Sequence, residues 1–282
     1  MSASVLFDSP GPRTVARHRA YSVVAAVLIV VAVAWAVKGF YDHGQFAYDK
    51  WEAFTTPSYV QALLVDGLLQ TLLMAVLAIA GALVMGTVLG LGKLSDHRWV
   101  RWPAAAIVEF FRATPVLLLM IFIWYALGIK EDSSGFLAVV FALTLYNGSV
   151  LAEVLRAGIN AVPKGQSEAA YAIGMRKSQV MSIVLVPQAV KIMFPAMIAQ
   201  CIVALKDTAL GAAVLAPGLM RVGKAIYTEL HNQVPTMAVV ALLYIVVNLL
   251  LLWLATWAQK KYVGEKKLQV AMVGTMDTGR GV

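Results

Sequence analysis

An all-α bundle of membrane helices is the fold class this sequence predicts, and three observations predict it. Of 282 residues, 60% are apolar by the AVILMFWYC count and 13% are charged, the latter about half the share of an ordinary soluble domain. The apolar residues gather into about six runs that suit a bilayer core, which takes ~20 residues per helix. Basic residues concentrate in alternate connections between those runs, as cytoplasmic loops do. A disordered chain is excluded, and a soluble globular domain is disfavoured.

The first run covers about 20–37. It is too long for the core of a typical signal peptide, and Trp35-Ala36-Val37-Lys38 is a poor cleavage site, so an uncleaved helix is expected. The second lies within about 60–91 and the third within about 102–128. The fourth covers about 135–157, the fifth about 180–205 and the sixth about 236–258. Pro115 and Pro195 fall inside the third and fifth and should kink them.

Arg13, Arg17 and Arg19 precede the first run. Asp42, Asp49 and Glu52 against Lys50 mark the next connection as external. Lys93, Arg98 and Arg101 fall between the second and third runs, Lys164, Arg176 and Lys177 between the fourth and fifth, and Lys260, Lys261, Lys266 and Lys267 after the sixth. Both termini are therefore expected in the cytoplasm. This alternation explains most of the formal net charge of +8 without nucleic acid. Residues 1–19 and 263–282 read as solvated cytoplasmic tails, 20–57 as a first helix with an external segment, and 58–262 as the core.

Catalytic motifs fail. The run from Gly86 to Lys93 resembles a phosphate loop at a glance, but Thr87 stands where the first glycine should be and Leu94 follows the lysine. Gly86 and Gly90 read instead as a GxxxG face for close helix packing. His18, His43, His97 and His231 lack metal-ligand spacing, and Cys201 is alone. No triad or paired catalytic carboxylates stand out, so neither a catalytic nor a metal site is expected, and no cofactor on this chain.

The informative stretch is the connection 160–178. Pro163 and Gly165 break the fourth helix, a short helix is expected over Glu168 to Ile173, and Gly174 supplies a positive-φ turn. Such a helix lies across the cytoplasmic mouth. Glu168 is expected at its start, where the helix dipole favours an anion, with Ala169 and Ala170 as a small face open to a partner.

At these residues the sequence resembles the permease subunits of ATP-binding-cassette importers. Their signature is Glu-Ala-Ala, three residues, Gly, nine residues, then Ile-x-Leu-Pro. Glu168, Ala169, Ala170, Gly174 and Pro187 occupy the matching places, with Val184 and Val186 as conservative replacements and Gly165-Gln166 ahead. Three further segments resemble the polar amino-acid branch: Glu109-Phe-Phe-Arg112-Ala-Thr114-Pro115, the stretch from Tyr146 to Ile159, and Leu205-Lys206-Asp207-Thr208-Ala209-Leu210. The resemblance covers about 60–260 and is strongest to glutamate-uptake permeases of high-GC Gram-positive bacteria. It implies a type I importer fold and a permease that hydrolyses no ATP itself. The implied partners are an ATP-binding subunit dimer, a sister permease (a different chain, or a second copy), an extracellular amino-acid-binding lipoprotein and membrane lipids. Gly165, Gln166, Glu168, Ala169, Ala170 and Gly174 would couple to the ATPase.

A buried charge is costly in a membrane, so each is a functional candidate. Glu109 and Arg112, and Glu153 and Arg156, are each three apart and suited to pair. Lys206 and Asp207 point to different faces. Arg112, Thr114, Asn147, Lys206 and Asp207 are the expected substrate path for an anionic amino acid. A secondary transporter or channel subunit shares these charges, but has no reason to hold EAAxxxG at the cytosol.

Overall fold

A computed structural model describes residues 12–128 and 131–262; among them every regular element is helical. Helix α1 spans Pro12–Asp42. After short turns at Tyr48–Trp51 and Glu52–Phe54, α2 runs Pro57–Lys93. Helices α3 (Arg98–Ala113) and α4 (Val116–Ala126) follow, then α5 (Glu131–Asn160) and the short α6 (Lys164–Ala172). Helix α7 covers Lys177–Val214, α8 Leu219–Leu230 and α9 Gln233–Tyr262.

Five of these helices (α1, α2, α5, α7 and α9) are long and apolar enough to cross a membrane. The expected third span differs from its reading: it is no kinked helix but two helices bent by 103° at Thr114 and Pro115. Pro115 has no N–H to give and its ring clashes with a preceding carbonyl, so a helix stops before it. Taken together the two are long and apolar enough for one span, so the described residues hold five spans, or six with this bent pair. Alone, α4 has 11 residues, ~16 Å of helix against a core of ~30 Å.

Helix α3 turns back beside α2: Ile107 and Phe111 line a hollow with Val84, Met85, Val88 and Leu89. Glu109 lies 11 residues beyond its first residue (109 − 98), ~16 Å along an axis, yet it still reaches Lys93 at the end of α2, at 3.2 Å. Nearer the turn, Ala104 packs against Gly92.

The bundle is built on α2 and α5. A Cβ at Gly86 would stand 2.8 Å from the Leu151 Cβ and 3.0 Å from the Gly148 carbonyl oxygen, and one at Gly90 3.0 Å from the Ala152 oxygen. The expected GxxxG contact is thus made, backbone against backbone. Met74 and Ala78 of α2, Met120 of α4 and Val139 and Leu143 of α5 form the central core. By contrast, the apolar stretch of α1 is wholly exposed, as suits a helix apolar all round.

Contacts between distant parts of the chain sort the connections onto two sides. On one, Asn232 Nδ2 donates to the Lys50 carbonyl at 2.9 Å and Tyr59 Oη to Glu229 Oε1 at 3.2 Å. On the other, Lys93 pairs with Glu153, Lys177 with Asp96, and Gln188 Nε2 donates to Gln166 Oε1 at 3.3 Å. The acidic segment 42–52 and the basic loops thus lie at opposite ends of the bundle.

Three features escaped the sequence reading. Helix α8 packs Leu219, Gly223 and Ile226 inward between two spans. Two π-helical stretches, Ala62–Leu69 and Val180–Leu185, interrupt α2 and α7. The second precedes Pro187, and its wider turns ease the clash a proline ring makes with the carbonyl four residues back.

Candidate functional site

Helix α6 is held out at the basic end of the bundle by its own termination chemistry. Its carboxyl end is a Schellman motif. The Gly174 N–H donates to the Tyr171 carbonyl at 2.9 Å, the Met175 N–H to that of Ala170 at 3.2 Å, and Gly174 has φ +83°. The expected turn at Gly174 is therefore made. The helix itself begins at Lys164, behind Pro163. Glu168 is then a full turn inside it, and its expected place at the positive end of the dipole is corrected: the dipole effect is confined to the first turn.

The two alanines separate as well. Ala170 is buried, turned to its own bundle where α6 meets the start of α7, while Glu168 and Ala169 are exposed. Residues 169 and 170 are ~100° apart on a helix, so they cannot both face one partner squarely. The outward face gains two side chains the sequence reading missed, Tyr171 and Ile173, the latter 79% exposed. Gly165 and Gln166 are exposed in the first turns, Gln166 accepting from Gln188 of α7.

Beyond α6, Lys177 at the start of α7 pairs with Asp96 in the α2–α3 turn. Its hydrogen bond and charge hold the Asp96 carboxyl below the usual carboxylate range. A lowered folded value means the pair is fully formed above the ordinary pKa and is lost as pH falls through the lowered one. Protection of the amides at residues 94–97, measured against the intrinsic exchange rate at each pH, is therefore expected to fall on acidification below about pH 4, starting from an ordinary Asp pKa of about 3.9. Asp96→Asn should abolish that pH dependence.

The expected ion pairs form, and they prove to be one cluster. Arg112 stands 3.5 Å from Glu109 and Arg156 3.0 Å from Glu153. Lys93 joins them, touching both Glu109 and Glu153 with its own side chain only 9% exposed. The i,i+3 spacing made the two pairs legible; nothing local in the sequence marks Lys93 as their bridge.

The remaining path residues lie apart from that cluster. Thr114 Oγ1 donates to the Phe110 carbonyl at 2.8 Å at the bend. Asn147 is buried in α5; its Nδ2 donates to the Leu143 carbonyl at 2.9 Å and its Oδ1 accepts from Gln200 of α7. Gln200 was missed, although a lone amide in an apolar span always needs a partner. Lys206 is exposed and Asp207 half-buried near the end of the α-helical part of α7, and they make no ion pair with each other among the described residues.

The described residues thus form a bundle of membrane-length helices with a short helix held out at one end. Residues 82–264 match the family described as binding-protein-dependent transport system inner membrane component, and the chain belongs to that family. It is 44% identical over 223 residues to the glutamate transport system permease protein GluD of Corynebacterium glutamicum, covering 78% of this chain and 82% of that one. It is 33% identical over 204 residues to the putative glutamine transport system permease protein GlnP of Rickettsia felis, covering 71% and 93%. Among solved structures, an amino acid ABC transporter with histidines superposes with a TM-score of 0.67 at 29% identity, over 74% of this chain and 98% of that one.

Proposed function

We propose that this chain is the permease subunit of an ATP-driven importer that brings a polar amino acid, glutamate, into the cell. The observation that carries the reading is α6: an exposed nine-residue helix, closed by a positive-φ glycine and seated on the first turns of a span. A dimer of ATP-binding subunits docks on Glu168, Ala169, Tyr171 and Ile173, and its closure pushes α6 against the bundle. One chain offers one such helix, so a second permease, a sister chain or another copy, completes the pair. A binding lipoprotein delivers the amino acid at the acidic outer end. ATP stays on the partner, and this chain needs no cofactor.

Both termini lie in the cytoplasm, because the basic loops share an end with α6. Cysteines placed at Asp49 should label only from outside and at Lys177 only from inside; labelling of position 177 from outside would reverse the scheme.

The glutamate assignment rests on the GluD likeness and on charge. An anion crossing a low-dielectric cavity needs fixed positive charge or donors. Arg112 at the bend and Lys206 near the end of α7 supply charge, Thr114 and the Asn147–Gln200 pair supply neutral polar groups, and Asp207 orients the substrate ammonium. Glu109 does not require Arg112, since Lys93 also meets it. Arg112→Gln should therefore cost a charge-assisted hydrogen bond to the substrate, about 1.5–3 kcal/mol, or roughly ten- to a hundredfold in uptake. Near-normal uptake in that variant would show that Arg112 serves Glu109 alone. Substrate choice is tested by ATP hydrolysis of the reconstituted complex. Binding protein supplied with glutamate should stimulate it more than with glutamine or arginine; equal stimulation by all three would reject glutamate as the preferred cargo.

A further inference from the structure

Both flanks of α6 are tied to a single short turn. The last turns of α5, leading into α6, carry Glu153, which pairs with Lys93. The first residue of α7, leading out of the α6 loop, is Lys177, which pairs with Asp96. Lys93 and Asp96 bound the turn from α2 to α3, and Lys93 also reaches into α3 through Glu109 at 3.2 Å. Three residues further on, Arg112 stands beside Glu109, one helical turn before the 103° bend.

The geometry points to Lys93 as a positioning residue that transmits movement of α6 to α3 and so to Arg112 at the bend. This rests on the importer reading above. Lys93 suits the task on three counts. Its ammonium carries three donors, enough for two carboxylates at once. Its side chain is only 9% exposed, so water competes little for them. Its two partners lie on different helices, whereas Arg112 and Arg156 each meet a carboxylate of their own helix. Counting Lys93, Arg112 and Arg156 against Glu109 and Glu153, the cluster carries a net +1. When the ATPase displaces α6, α5 moves with it, Glu153 carries Lys93, and Lys93 carries Glu109. Without the ammonium, α6 still docks and still moves, but α3 no longer follows.

The test is the number of glutamate molecules taken up per ATP hydrolysed, in the complete complex with its ATPase and binding protein in proteoliposomes. For Lys93→Met, ATP hydrolysis is expected within about twofold of normal and uptake at least tenfold lower, so the ratio falls about tenfold. Lys93→Arg, which keeps a multi-donor cation, should restore it to within about threefold. A merely structural role would lower the amount of complex and both rates together. A ratio unchanged within twofold in Lys93→Met therefore overturns the proposal. Glu109→Gln, at a side chain 63% exposed, removes only the α3 arm. It is read in the same way, so the test holds if Lys93→Met does not assemble. The unaltered complex in the same vesicles separates the two ideas: if it takes up no glutamate, the importer reading fails; if it does and the variants keep their ratio, only the role of Lys93 fails.

Discussion

Replacing Gly174 by valine is expected to cut uptake below about a tenth of normal while leaving the chain in the membrane. Gly174 has φ +83°, and a Cβ there would meet nothing within 4 Å. The substitution is therefore opposed by backbone strain rather than by a clash. A β-branched residue is among the least able to hold this conformation, and sparsely populated backbone geometry costs of order 1–3 kcal/mol. The strained turn is relieved by opening the Schellman bonds of Gly174 to Tyr171 and of Met175 to Ala170, which unwinds the end of α6. Tyr171 and Ile173 then lose their fixed places on the outer face. Membrane insertion depends on the spans and is unaffected. Uptake at less than about a tenth of normal, with normal protein levels, is the expected result by that strain. Gly174→Asn is the control: asparagine tolerates left-handed backbone, so a substantial fraction of uptake should return. Equal uptake in the valine and asparagine variants would show that the turn has no part in coupling.

Replacing Gly86 by valine acts on the other half of the molecule, its assembly. The first added carbon would lie 2.8 Å from the Leu151 Cβ and 3.0 Å from the Gly148 carbonyl oxygen. Neither neighbour is the far end of a flexible side chain, so α2 and α5 must separate. Overpacking of this kind typically costs ~1–3 kcal/mol, and forced backbone movement raises it. The detergent-solubilised protein should unfold several degrees lower, and less of it should survive purification. Gly39→Val is the reference, because nothing lies within 4 Å of a Cβ there. An unfolding temperature shared by the two variants would contradict the close packing of α2 on α5.

What the sequence disclosed follows from the range over which each signal acts. Apolar runs and clusters of basic residues are read directly from local sequence, so five of the spans were legible, as was the GxxxG face. The Gly174 turn was legible because a positive φ favours one residue type. The face of α6 was not: whether Ala169 or Ala170 looks outward depends on where the helix sits on α7. The bend at Pro115 was underestimated because a proline shows that a helix is disturbed, not by how much. Helix α8 was hidden because a 12-residue helix with Arg221, Lys224 and Glu229 on its outer face resembles a polar loop. Lys93 joins residues 16 and 60 positions away, and no local pattern marks such a bridge.

On the proposed reading, ATP hydrolysed by partner subunits drives an amino acid inward through this chain. It is tested most directly in sealed proteoliposomes holding the permease pair and its ATPase, with ATP enclosed on the α6 side, loaded binding protein outside and no ion gradient. Glutamate should accumulate against its concentration gradient, with hydrolysis stimulated by the loaded binding protein and both lost in Gly174→Val. Uptake that proceeds without ATP and follows an imposed sodium or proton gradient would contradict it.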